Sequence, residues 1–130
     1  MKKSIFTLAL ALVLTSGFAT ASENNSSTEF PIENLAGINL NSFCKAIIAG
    51  NYEMVAQLIE MGEDINKKSL GKTPAMYAAR YNKANILSLL IEKGANLSAK
   101  SDQEDKTAQE LAAMSNAKDA LEVFKKITKK

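Results

Sequence analysis

Few side chains in this chain could carry out covalent chemistry. None of its 130 residues is a histidine, which removes the usual general base and the commonest metal ligand. Cys44 is the single cysteine, so no internal disulfide can form, and without histidine it has no standard partner for thiolate chemistry. Its setting, Phe43-Cys44-Lys45-Ala46-Ile47-Ile48, suits a small buried thiol. The carboxylate pairs Glu63-Asp64 and Asp102-Gln103-Glu104-Asp105 fall in turn-like stretches, where solvated loops account for them. The second has the carboxylate density of a calcium loop but lacks the glycine of the sharp turn and a correctly spaced glutamate. No glycine-rich loop could cradle a phosphate. The expectation is a protein that is not an enzyme and uses no cofactor and no metal. Arg80-Tyr81 could instead grip another surface: the chain's only arginine stands beside one of its three tyrosines, and both types are over-represented at interface hot spots. The plain alternative is a solvated arginine next to a packed tyrosine.

The elements that position these residues repeat. Asn51 to Asn66 aligns with Lys83 to Ser98, thirty-two residues on, so that Leu58, Ile59, Glu60 and Gly62 fall on Leu90, Ile91, Glu92 and Gly94. A period of this size marks stacked helical units. In the middle unit Thr73 is a natural N-cap and Pro74 a natural first helical residue. A short helix runs from Ala75 to Tyr81 and ends at Asn82. A second runs from Ala84 to Lys93, with Ile86, Leu87, Leu90 and Ile91 on its buried side, and Gly94 stops it. The first unit repeats this plan with Asn41 or Ser42 as cap, Phe43 to Ala49, and Tyr52 to Met61 before Gly62. The third opens on a Thr107-x-x-Glu110 capping box and closes with a lysine-rich helix from Ala117 to about Ile127, the polar outer face of a terminal repeat. No stretch alternates with period two for long enough to demand a sheet.

Gly71-Lys72-Thr73-Pro74-Ala75-Met76-Tyr77-Ala78-Ala79 resembles the Gly-x-Thr-Pro-Leu-His-x-Ala-Ala signature of the ankyrin repeat, and Leu89 to Leu97 resembles its Leu-Leu-x-x-Gly-Ala-x-Val ending. The likeness spans roughly Asn41 to Ile127. It weakens over Thr107 to Ile127, where the proline and terminal glycine are lost and two residues are inserted around Ser101 to Asp105. The resemblance implies an all-α ankyrin-repeat solenoid of about three helix-turn-helix units, near 41–66, 67–99 and 100–130. Met76 stands where the family has the histidine that ties its loops together, so the finger around Lys67 to Lys72 is expected to be looser. Ala75 in place of leucine removes volume worth roughly 2 kcal/mol if left unfilled; Met76 and Tyr77 are placed to fill it.

The resemblance also implies a protein partner on the concave side, made of finger tips and first-helix faces. Carried over position by position, the candidates are Ser69, Leu70 and Lys72 on the finger, with Arg80 and Tyr81 at the end of the middle first helix. Their equivalents are Ile48 and Ala49 in the first unit, and Gln103, Glu104, Lys106, Met114 and Ser115 in the third.

The start of the chain reads as an address. Met1-Lys2-Lys3, an apolar run from Ile5 to Leu14 and Ala19-Thr20-Ala21 match a signal peptide over 1–21, with Ser22 the first mature residue. The apolar run is shorter than the roughly 20 residues of a membrane-spanning helix, so no stable membrane anchor is expected after cleavage. Residues 22–40 form a polar tether followed by a capping segment at Phe30 to Leu35. Loss of Lys2 and Lys3 brings the 16 basic residues to 14 against 14 acidic ones, which gives no nucleic-acid signal. The lysines at 125, 126, 129 and 130 suit a solvated helix end. The short leader has the bacterial form and points to the periplasm or secretion. The reading is therefore a monomeric, exported, non-catalytic protein–protein interaction module. Two alternatives are an immunity or inhibitor protein against a secreted toxin or enzyme, and a protective or structural factor in envelope or oxidative stress.

Overall fold

The computed structural model describes residues 39–129; the expected signal peptide, the tether and the capping segment at Phe30 to Leu35 lie outside them. The described residues form six helices: α1 (Ser42–Ala49), α2 (Tyr52–Glu60), α3 (Pro74–Arg80), α4 (Ala84–Glu92), α5 (Ala108–Met114) and α6 (Lys118–Thr128). They pair as three antiparallel units. The first helices α1, α3 and α5 pack side by side in one layer, and α2, α4 and α6 stack in a second behind it. The helices carrying Leu58 and Leu90, α2 and α4, lie alongside one another.

The first layer is thin because its core is small. Ala75, Ala78, Ala79, Ala108 and Ala112 are all buried where α1, α3 and α5 meet. The second layer supplies the volume: Val55, Ile86, Leu87, Leu90 and Phe124 are almost or wholly inaccessible. Each such aliphatic or aromatic side chain contributes about 1.5–3 kcal/mol by leaving water. Ala75 lies in this core with Met76 and Tyr77, which are also buried.

Local signals set the helix ends. Asn41 Oδ1 accepts the amide of Cys44 at 2.8 Å and starts α1; Thr73 Oγ1 accepts that of Met76 and starts α3, with Pro74 at its first position. In the box of α5 the Thr107 amide donates to Glu110 Oε2 at 2.8 Å, while the Glu110 amide donates to Thr107 Oγ1 at 3.3 Å. Hydrogen bonds from the Thr107 amide and then from its hydroxyl hold the Glu110 carboxyl below its usual range. Gly94 ends the α4 unit at φ 98°, as its glycine type requires. Asn82, at φ 58°, both turns the chain between α3 and α4 and reaches into the next unit. Its Oδ1 accepts the Ala120 amide at 3.0 Å, capping α6, whose own N-cap Ala117 makes no side-chain cap bond.

The third unit has a more polar outer flank than the middle one. Gln109, Lys118 and Lys125 stand where the middle unit has Ala75, Ala84 and Ile91. They line a shallow open groove with Asp119, Leu121 and Glu122, so this flank mixes charge and amide with the apolar Leu121.

Candidate functional site

The concave side is built from two finger-like turns and the ends of the first helices. The middle finger closes in four residues, Ser69-Leu70-Gly71-Lys72. The Ser69 amide donates to the Lys72 carbonyl at 2.9 Å, and Leu70 and Gly71 both have positive φ, 54° and 83°. That pairing is the turn whose twist matches two antiparallel strands. Gly71 suits that φ, and a Cβ there would also sit 2.6 Å from Gln103 Nε2, so the end of that side chain would have to swing aside.

The tie that the family draws from histidine is supplied here by other residues, which corrects the expectation of a looser finger. The Tyr77 hydroxyl donates to the Ser69 carbonyl at 2.6 Å. Ser69 Oγ accepts the Asn41 amide at 3.0 Å, and Met76 Sδ accepts the Thr73 amide at 3.4 Å, a weaker acceptor in the place of an imidazole. Tyr77 is buried, and burial, reinforced by Cys44 nearby, pushes its hydroxyl up to about 12, so it stays a donor.

The third finger, Ser101 to Lys106, needs six residues for the same closure: the Ser101 amide donates to the Lys106 carbonyl at 2.9 Å. The two extra residues change the site. Gln103 Nε2 donates to the Leu70 carbonyl at 3.1 Å, and Lys72 Nζ donates to Gln103 Oε1 at 3.2 Å. Glu104 Oε1 pairs with both Lys72 Nζ at 3.1 Å and Arg80 Nη1 at 3.2 Å, while its Oε2 accepts the Ser101 hydroxyl at 2.7 Å. The hydrogen bond from Ser101, then those from Lys72, hold the Glu104 carboxyl down at about 2. The acidic run is therefore paired at every carboxylate, with Asp102 on Lys68 at 2.7 Å and Asp105 on Lys100 at 3.8 Å. The Lys72 and Arg80 pairs with Glu104 are partly buried, whereas those of Asp102 and Asp105 stand in water and are weak; all of them set position.

The sequence-derived candidates divide by accessibility. Leu70 and Tyr81 are each 46 % exposed and Met114 62 %; Gln103 is exposed as well. Arg80, Lys72, Lys106 and Ile48 are half-buried. Ile48, Arg80 and Met114 occupy equivalent places at the ends of α1, α3 and α5, which forms a row across the first layer. Ser69 departs from the expectation of a free finger residue: at 8 % exposure it is an internal strut. Glu104 and Tyr77 carry more of the site's architecture than their sequence contexts suggested. Glu104 reads as one more solvated acid on a turn; the sign to look for was the two-residue insertion, which lengthens the finger enough to reach two cations one repeat away.

The side chains gathered at this face offer ion pairing, hydrogen bonding and apolar contact. Cys44, the one thiol, is wholly buried under α1 and pushed up to about 12 by burial, then by the charge of Glu63, which keeps it from acting as a thiolate. Among the described residues no group of three or more Cys, Asp or Glu side chains could hold a metal, and no helix is long and apolar enough to cross a membrane.

The family model described as ankyrin repeats (3 copies) matches residues 32–129. No curated protein matches the chain. The family match covers most of the chain and coincides with the three stacked helix pairs, their fingers and the Thr73-Pro74 helix start, and by these the chain belongs to the ankyrin-repeat family.

Proposed function

We propose that this chain is a non-catalytic binding module that holds a protein partner on its concave face, and that it works outside the cytoplasm, in the bacterial periplasm or envelope. Ankyrin repeats mediate protein–protein interaction in general, and this family match is the ground for a protein partner. Among the described residues, Leu70, Tyr81 and Met114 are large apolar side chains exposed on this side, while Tyr52, Met54, Met61 and Ile127 are exposed along the second layer; what favours the concave side is the half-buried Arg80 beside Tyr81. Large apolar side chains left in water beside an arginine are the composition of a contact surface. The export reading rests on Lys2, Lys3, the apolar run and Ala19-Thr20-Ala21, all outside the described residues.

Affinity capture from an envelope extract tests the site. Wild-type protein is expected to retain a partner that an Arg80→Ala/Tyr81→Ala variant loses, by about 30-fold in Kd if the pair acts as a hot spot of 2 kcal/mol. Recovery of the same proteins by both would place the contact elsewhere. N-terminal sequencing of the protein from the periplasmic fraction checks the address: Ser22 as first residue supports it, and an intact Met1 in the cytoplasm refutes it.

A further inference from the structure

We infer that the segment this face accepts is acidic and apolar-flanked, with a partner carboxylate that takes Arg80 from Glu104. The inference rests on the binding-face reading above and adds the chemistry of the occupant. Arg80 commits a single N–H, at 3.2 Å, to a carboxylate oxygen that it shares with Lys72. A guanidinium has five N–H donors in a fixed fork suited to two parallel bonds with one carboxylate, and this side chain is 39 % exposed. The contact with Glu104 is therefore one-pronged, and both side chains are partly open to water, so a second carboxylate can reach Arg80. Lys72, Arg80 and Glu104 together carry one net positive charge. Asp102 and Asp105, the other carboxylates of that finger, are each occupied by a lysine of their own, Lys68 and Lys100.

Glu104 is also retained without Arg80. Its other oxygen holds the Ser101 hydroxyl at 2.7 Å, and Lys72 Nζ stays 3.1 Å from the first. A second carboxylate can thus capture Arg80 side-on with two N–H donors while Glu104 keeps Ser101 and Lys72. In the unbound protein Glu104 serves as a stand-in for the partner's acid. Tyr81, next to Arg80, and Met114, at the same level on the adjacent helix, supply the apolar contacts on either side.

The test is selection of a random twelve-residue peptide library on phage against the purified protein, followed by titration of synthetic versions of the enriched peptides. Enrichment of sequences with Asp or Glu beside aromatic or large aliphatic residues is expected. Amidation of that carboxylate (Asp to Asn, Glu to Gln) in the peptide should weaken binding at least tenfold, and so should Arg80→Ala in the protein. Glu104→Gln, which removes the internal competitor, should tighten binding about fivefold, with an unchanged circular dichroism spectrum as the control for folding. Weaker binding by that variant would make Glu104 a mere strut for Arg80 and overturn the inference. Basic or uncharged peptides that respond to Tyr81→Ala but not to Glu104→Gln would overturn it and leave the concave site standing. Binding that no substitution on this face alters would overturn both readings.

Discussion

Removing one oxygen from Tyr77 tests how the middle finger is held. In Tyr77→Phe the ring stays in the core and only the hydroxyl that donates to the Ser69 carbonyl at 2.6 Å is lost. That carbonyl keeps one other donor, the Lys72 amide at 3.3 Å, so the cost lies in the lower part of the range for stripping a buried acceptor, about 1–2 kcal/mol. For a domain of this size that is a fall of roughly 5–12 °C in Tm, measured by circular dichroism at the helix band. Amide exchange supplies the local readout: protection of the Ser69 and Lys72 amides, which close the finger, should drop more than that of Leu87 or Leu90 in α4. There is also a signature in alkali. The Tyr77 hydroxyl titrates at about 12 in the folded protein against an ordinary value of 10.0, so the unfolded chain gives up its proton first and stability falls as pH rises from about 10 to about 12. Tyr77→Phe should lack that part of the alkaline decline. A loss of stability under about 0.5 kcal/mol with unchanged protection at Ser69 would show that the Leu70-Gly71 turn holds the finger alone, and would refute the tie.

Three further outcomes follow from the same geometry. Gly71→Ala should destabilise by about 1–2 kcal/mol, because φ is 83° and the new Cβ meets Gln103; adding Gln103→Ala removes the clash and should restore only part of the loss in a urea titration. Glu104 titrates at about 2 when folded against 4.5 ordinarily, so the unfolded chain takes up its proton first and stability should fall as pH drops from about 4.5 towards 2; urea midpoints for Glu104→Gln should show a shallower acid limb across that window. Cys44, wholly inaccessible and with its thiol raised to about 12, should fail to react with a disulfide reagent in the native state and react promptly in guanidinium; rapid native modification would mean that α1 opens from the core.

Helices, caps and repeat length were legible in the sequence because each is written locally. Thr73-Pro74, the Thr107–Glu110 box, and the spacing of Ile86, Leu87, Leu90 and Ile91 act within a turn or two of chain, and the boundaries of the second helices in the structure fall within a residue or two of those readings. The register of Ile48, Arg80 and Met114 was legible too, since they recur at the same point of each unit. Contacts between units were not. Glu104 to Arg80 crosses twenty-four residues and Asn82 to Ala120 thirty-eight; each depends on how one unit seats on the next, which no local pattern encodes. Tyr77 to Ser69 stays within the middle unit but spans eight residues, from the helix back to the finger. Met76 shows a different error, within one unit: reading it as a missing histidine anticipated a loose finger, whereas Tyr77, one position along, bonds the Ser69 carbonyl through its hydroxyl.

The polar outer flank of α6 fixes how such a molecule could lengthen. Gln109 on α5 and Lys118 and Lys125 on α6 present charge and amide where the middle unit has alanine and isoleucine, around the apolar Leu121, so a unit packed against this flank would have to cover charged side chains. The middle unit is apolar on both flanks, and a duplicate of it spliced between the second and third units would meet compatible neighbours on each side. Growth by internal duplication would widen the concave face while leaving that mixed flank unchanged.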